Sequence, residues 1–420
     1  MRAGLWVSWI AVATAVGCAQ PAANGCRTAG GHPTSDALDV VPRETRTLDI
    51  AQVGSAVQVD KTLGYPRTAG NYHALGPAEC QCMAARASKL GNLFDGERRA
   101  LAAGDSSGRC SHTDNSLTFD VLRTAALEAR NRSAGDALNS YYLLAQNEAR
   151  LDLLTRALGE TRQAVSNVDR LRQQGLKMPA DDDRFARRDI ELRDQLAQVE
   201  AGVSQLNGQL WQLIGIWPAA PQERTWPTAA LAVTVERQDV EAAVQLGLGT
   251  RPELGMLRRM RSRLDEDSLS GARAAMKQVN PLLGLTAPSS DCDGPLGFLG
   301  KLRKLHAAKE ELPERRRQLN QYTIEREQEV AVEIRQAAET VELRLRQIAL
   351  AKEALALAEH QRLDAEGRSN TGRATFADVA VARLAVVQAD EDLLEKIVAW
   401  KIAEARLKQA QGMLVTECCP

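Results

Sequence analysis

Eight cysteines, five histidines and a dense mixture of carboxylates and guanidiniums are the side chains of this chain that could do chemistry. A zinc site needs two cysteines spaced by about two to four residues and two further ligands. Cys80-x-Cys82 and the terminal Cys418-Cys419 are the close pairs outside the N-terminal region, and His32, His73, His112, His306 and His360 are scattered. The cysteines therefore read as disulfides or free thiols whose connectivity the spacing does not set, and neither metal nor cofactor is expected. Asp and Glu interleave with Arg and Lys, as in Glu325-Arg326-Glu327 and from Glu342 through Arg346. Such runs form solvated helix faces, with intrahelical pairs worth roughly 0.2–0.5 kcal/mol each. The chain has no glycine-rich phosphate loop and no His-x-x-x-His pair, and no enzyme is expected. With 53 basic and 54 acidic residues it also has no global basic surface, and nucleic acid is not an expected partner.

The element that organises the chain runs from Leu319 to Gly412 and reads as two long helices folded back on each other. In the first arm Ile334, Val341, Ile348 and Leu355 recur every seven residues, and Leu343, Leu350 and Leu357 form a second column two positions over. A helix turns ~100° per residue, so the two columns point about 200° apart and need different packing partners. The second arm repeats the design. Val379, Val386, Leu393, Trp400 and Leu407 form one column, and Ala382, Ala389, Ala403 and Ala410 form another, interrupted by Lys396. The hairpin expects helices on both sides.

Taken in order, the chain begins with Arg2 and an apolar run from Leu5 to Val16, too short to span a bilayer and fitting a secretory signal over 1–17. Eight cysteines suit the oxidising compartment to which such a signal leads. Residues 18–74, rich in Gly, Pro, Thr and Ala, read as a flexible tether. A helical pattern runs from Pro77 to Leu101 and is broken over Gly104 to Asn115. A long helix follows from Leu117 to Gln174, with Leu138, Tyr142, Ala145, Ala149, Leu153, Leu158 and Val168 on its apolar faces. Gly175 ends it, and a second helix reaches Gly215. The Trp-Pro pairs at 217–218 and 226–227 make 216–236 a connector.

Helical character returns at Asp239, pauses at Gly247 and Gly249, and restarts at Thr250-Arg251-Pro252-Glu253, where Thr250 can cap and Glu253 holds the capping-box position. From Asn280 to about Pro313 the pattern is irregular. Gly175 and Gly215 lie 40 residues apart, as do Gly372 and Gly412, and the pairs are offset by 197. A helix of more than 50 residues enters the first glycine of each pair and one of nearly 40 leaves it. This is an internal repeat: 75–215 and 237–415 are two copies of one helical-hairpin unit. The expected fold is all-α, an elongated coiled-coil bundle of two tandem hairpin repeats, with at most short β-hairpin segments between helices.

Two resemblances add to this reading. Ala15-Val16-Gly17-Cys18 resembles the lipobox of bacterial lipoproteins, which implies lipid attachment at Cys18, with ordinary signal cleavage as the alternative. From Leu117 to Gly412 the chain resembles the TolC-type outer-membrane efflux proteins. The residues carrying this are Arg251-Pro252-Glu253-Leu254 at the opening of the second repeat, Thr371-Gly372-Arg373-Ala374-Thr375-Phe376-Ala377-Asp378-Val379 at its turn, and the tandem duplication. The resemblance implies a homotrimer of twelve helical strands crossing the periplasm, open in the outer membrane and meeting a periplasmic adaptor and an inner-membrane pump at its tapered tip. It places Gly175, Gly372, Thr375, Asp378 and Val379 at that tip, where the adaptor would dock; for Val379 an apolar core position after a helix cap is the competing reading. The family also inserts a pair of membrane strands between the long helices of each repeat. Here only about a dozen polar residues lie between the first helices and Leu117, and Pro281-Leu282-Leu283-Gly284-Leu285 is the one stretch between Asn280 and Pro313 that could start a strand, so a truncated or absent barrel is expected. A lipid-anchored periplasmic scaffold or adaptor without a pore is the alternative.

Overall fold

The structure, a computed structural model, describes residues 72–106, 116–175, 183–217, 223–231, 233, 239–265, 269, 273, 276, 297–416 and 418. Among these, eight helices and two strands follow in the order β1 (Tyr72–Leu75), α1 (Pro77–Ala87), α2 (Lys89–Ser106), α3 (Ser116–Gln173), α4 (Asp183–Ile214), β2 (Arg224–Pro227), α5 (Val240–Thr250), α6 (Pro252–Arg263), α7 (Gly297–Asn370) and α8 (Phe376–Ala410). The signal, the Cys18 attachment point and the connections 107–115 and 277–296 lie outside the described residues.

Two helices run through both halves of the molecule and exchange partners midway. At about 1.5 Å per residue, α3 with 58 residues is ~87 Å long and α7 with 74 is ~111 Å. Toward its N-terminus α3 packs on α2 and α6, and toward its C-terminus on α4 and α8; α7 packs on α5 and α6 and then on α8. Each half is thus a row of four helices, α2-α3-α6-α7 in one and α4-α3-α8-α7 in the other. In both rows α3 is internal and α7 lies at an edge.

The repeat extends further than the glycine spacing implies. α1 and α2 are separated at Ser88 (φ −54°, ψ 106°), and α5 and α6 at Arg251 (φ −59°, ψ 120°). The same one-residue break therefore recurs in both copies, and the helical pattern from Pro77 to Leu101 is two helices. A Cβ on Gly215 would stand 2.8 Å from Ala87 Cβ, and one on Gly412 would stand 3.3 Å from Pro252 Cδ. In each repeat the second glycine is pressed against that repeat's own break.

Three local readings are corrected. α5 continues through Gly247 and Gly249 to Thr250, because Asp239 caps it by accepting from the Glu241 and Ala242 amides. Thr250 does not cap α6: it ends α5, and its hydroxyl donates to the carbonyls of Leu246 (2.8 Å) and Gln411 (2.5 Å). α7 begins at Gly297 and carries Pro313 in its interior. Proline removes one helical hydrogen bond, and Glu311 fastens this stretch by accepting from Arg273 Nε at 3.0 Å and from Arg315 Nε at 2.7 Å. Those bonds hold the Glu311 carboxyl below the ordinary carboxylate range, Arg273 contributing most.

β1 and β2 form a parallel pair, with Leu75 opposite Pro227, rather than a hairpin. They come from segments read as tether and connector. Two four-residue strands are marginal alone, and side chains of α3 and α4 hold them. The buried Tyr141 hydroxyl donates to Leu75 O (2.9 Å) and accepts from the Ala229 amide (2.9 Å). Asn207 accepts from the Thr225 amide (2.8 Å), and Trp211 Nε1 donates to Thr225 Oγ1 (2.9 Å). Among the described residues no helix is long and apolar enough to cross a membrane.

Candidate functional site: the turns and the open edge

The four repeat glycines all adopt positive φ, from 70° to 75°, the left-handed conformation that closes a helix and favours glycine. At Gly372 the amide donates to Ser369 O (3.0 Å) and the Arg373 amide to Arg368 O (2.8 Å), which satisfies two of the carbonyls a helix end leaves free. Gly412 repeats the pattern with Gln409 and Lys408, at 2.9 Å each. The chain turns at Gly372 and re-enters a helix at Thr375. Thr375 Oγ1 accepts from the Asp378 amide (3.3 Å) while Asp378 Oδ2 accepts from the Thr375 amide (2.8 Å), a complete capping box. These bonds hold the Asp378 carboxyl below its ordinary range; the Thr375 amide contributes most, the Thr375 hydroxyl next, and the positive charges of Arg184 and Arg368 less.

Both turns lie at one end of the bundle. Ala164 and Val168 of α3, Phe185 of α4 and Ala380 of α8 share a core there. Gly175, Gly372, Thr375 and Asp378 are exposed on this end, whereas Val379 is buried within the chain. Just above it, Arg383 bridges Glu366 (3.0 Å) and Glu160 (3.3 Å), and Arg362 bonds Glu366 (2.9 Å). This network, joining α3, α7 and α8, lines a groove of about 440 Å³. Sequence reasoning missed it. The Arg362–Glu366 pair is legible as i,i+4, but nothing in the spacing announces partners 223 residues apart.

The two columns of α7 meet different environments. Ile334, Val341 and Ile348 are buried in the main core with Leu254, Leu393, Ile397 and Trp400. Leu343, Leu350 and Leu357 are 52%, 64% and 59% exposed. Among the side chains described, Ile324, Val332 and Leu363 bring the large exposed apolar residues of α7 to six, whereas α3, its counterpart in the first repeat, shows none. α8 has neighbours on both flanks, α7 on one and α3 on the other, as its two columns require. Six of the twelve large apolar side chains exposed among the described residues lie on α7, and α2 exposes Leu90 and Leu93. At the other edge of the same row α4 exposes Ile190.

Comparison with known proteins places this arrangement. No protein-family model matches the chain, and no curated protein does either. Solved structures do. The Campylobacter jejuni CmeC outer membrane channel matches with a TM-score of 0.57 and 12% identity, over 80% of this chain and 85% of that one. The outer-membrane channel OprN matches at 0.56 and 12%, over 85% and 96%. The outer membrane protein VceC of Vibrio cholerae matches at 0.50 and 17%, over 71% and 74%. The chain has the fold of these outer-membrane channels, the fold that the resemblance to TolC-type proteins implies.

Proposed function

We propose that this chain is the duct subunit of a TolC-type export system. It assembles as a homotrimer, catalyses nothing, and passes substrates driven by a separate inner-membrane pump. One observation carries the reading: a row of four helices has one long edge, α7, whose apolar column has no partner among the described residues of its own chain. Three copies placed edge to edge make a ring of twelve helices in which α7 of one copy meets α4 of the next. This interface is heterologous and leaves no edge once the rotation closes. The exposed turn residues Gly175, Gly372, Thr375 and Asp378 then ring the tip, where a periplasmic adaptor docks; Val379 supports them from beneath. Lipid attachment at Cys18 and a position in the outer membrane, with most of the chain in the periplasm, belong to the same proposal.

A second reading is favoured by chain length at the opposite end. Residues 107–115 alone separate α2 from α3. Two spanning strands need about 9–11 residues each, so this connection cannot supply the pair. A lipid-anchored periplasmic scaffold that keeps the tube without a pore accommodates that shortage. Light scattering on the detergent-extracted protein, followed by conductance in planar bilayers, separates the two. A three-chain particle that conducts is the expected result. A pure three-chain particle that never conducts favours the scaffold, and a monomer removes the tube from both.

A further inference from the structure

Cys82 on α1 is bonded to Cys418 in the C-terminal segment, across 336 residues of chain. Its Cα–Cα separation of 5.0 Å is ordinary for a bridge. Cys80, only two residues away, takes no part. A helix turns ~200° in two residues, so Cys80 faces the opposite side, fully buried against Leu75, Tyr141 and Val203. Burial pushes its thiol up to about 12, which leaves it no thiolate with which to attack the neighbouring bond.

The bond fastens a hook. After Gly412 the chain folds back over Met413–Thr416, and Leu414 is fully buried. It packs on Ala85 of α1, on Ala134 and Leu138 of α3 and on Ala405 of α8. Gln81 Nε2 donates to Leu414 O at 2.8 Å on the first-repeat side, and Gln411 Nε2 donates to Ala243 O at 3.3 Å on the second-repeat side. The hook thus rests on both repeats at the end of α8, beside the α5–α6 break. Among the described residues its non-covalent hold is the buried side chains of Leu414 and Val415 and a few hydrogen bonds. A cross-link closing so long a loop removes much conformational freedom from the open chain.

We infer that Cys82–Cys418 is a redox-controlled latch that completes the molecule only where a dithiol–disulfide oxidoreductase is present. In the reduced chain the helices form and the hook is undocked, so Cys418 is accessible on the released segment. Its thiolate attacks the disulfide of the oxidoreductase, forming a mixed disulfide and releasing one enzyme thiolate. Cys82 then attacks the Cys418 sulfur, the S–S bond closes and the second enzyme thiolate leaves. Two protein thiols are oxidised, one enzyme disulfide is reduced to a dithiol, and two protons pass from the protein thiols to the enzyme thiolates. A dithiol reductant reverses the sum and frees the hook.

The test uses the full chain purified without reductant, with free thiols trapped by N-ethylmaleimide before digestion and mass spectrometry. The expected result is a linked peptide joining Cys82 to Cys418, with Cys80 labelled only after denaturation. Hydrogen exchange is then compared with and without dithiothreitol. At least tenfold faster exchange is expected over 411–416 and in α1 on reduction, with α3 and α7 unchanged. The Cys82→Ser, Cys418→Ser double variant should match the reduced protein there and ignore the reductant. A Cys82–Cys419 link, the absence of any link at Cys82, or a hook that exchanges equally in both states overturns the latch. If the double variant does not fold, the wild-type comparison decides alone.

Discussion

At the residue scale the most constrained charge is Arg251, 4% exposed at the break between α5 and α6. Three carboxylates surround it: Glu253 at 3.3 Å, Glu128 at 3.9 Å and Glu333 in direct contact. Arg326 bonds Glu253 at 3.4 Å and Arg132 pairs with Glu128 at 3.6 Å, yet Glu128 Oε2 is buried with no hydrogen bond. Desolvation first, then repulsion from Glu253, raises the Glu128 pKa against the pull of Arg251 and Arg132. A carboxyl raised in the fold binds its proton more tightly there than in the unfolded chain. Its ionised form therefore weakens the fold above the folded pKa, and the penalty fades as pH falls through that value toward the unfolded one. Glu128→Gln is accordingly expected to melt higher than the parent at about pH 8, with the difference vanishing near pH 4 as the parent becomes protonated. Melting curves across that range decide it; a variant that melts lower at high pH would show Glu128 to be a needed partner of Arg251. Glu366, held low chiefly by its hydrogen bond from Arg383, has the opposite sign: its contribution is present above its unfolded value and lost as pH falls through its folded one.

At the element scale the four glycines, alike in φ, make a controlled series. Alanine in the left-handed region costs roughly 1–2 kcal/mol. At Gly175 and Gly372 a Cβ meets nothing within 4 Å, so strain is the whole effect. At Gly412 the Cβ also presses on Pro252, and at Gly215 it lies 2.8 Å from Ala87, which forces helix α1 to move. Urea unfolding should rank the alanine variants Gly215 worst, then Gly412, then the two tip glycines, with Gly215→Ala losing about 1–3 kcal/mol beyond strain. Equal losses at all four would mean that the breaks do not bear on the second glycines. Thr375→Ala, which opens the capping box, should cost about 0.5–2 kcal/mol and show as faster hydrogen exchange confined to the first turn of α8. The long elements were legible because heptad columns such as Ile334, Val341 and Ile348 repeat many times and report burial without knowledge of the partner. The glycine spacing likewise exposed the hairpins, since a helix end demands a left-handed residue wherever it falls. Single events were not legible. Tyr72–Leu75 is too short to show a period, and its partner strand lies about 150 residues away. Thr250 in front of Pro252 has the composition of a cap, but the Gln411 carbonyl, brought there by tertiary packing, takes its hydroxyl. Leu319 is where the apolar period of α7 begins, so the period hides the helical turns before it.

At the scale of the whole molecule, the proposed trimer closes each open helix row with the next copy, and the asymmetry of the edges favours a head-to-tail contact. α7 offers a regular leucine column, while α4 offers Ile190 in a largely polar flank, so the two edges cannot satisfy a two-fold contact of α7 with α7 and still cover α4. A head-to-tail contact covers both, and repeated around an axis it consumes every edge. Each leucine half-exposed in the lone chain stands to gain roughly 1 kcal/mol when covered, at about 25 cal/mol per Å². Leu350, at 64% exposure, is the test position because most of its side chain faces no neighbour among the described residues of the lone chain. In the assembly the same lysine places an ammonium in an apolar seam, at a cost of several kcal/mol in every interface of the ring. Leu350→Lys should therefore keep the helical signal and the melting temperature of the separated chain while the particle mass falls from three chains to one. Leu350→Met, similar in volume, should leave the mass unchanged. A lysine variant that retains the parent mass would mean that the α7 column is not the seam, and the ring would have to be built on another edge.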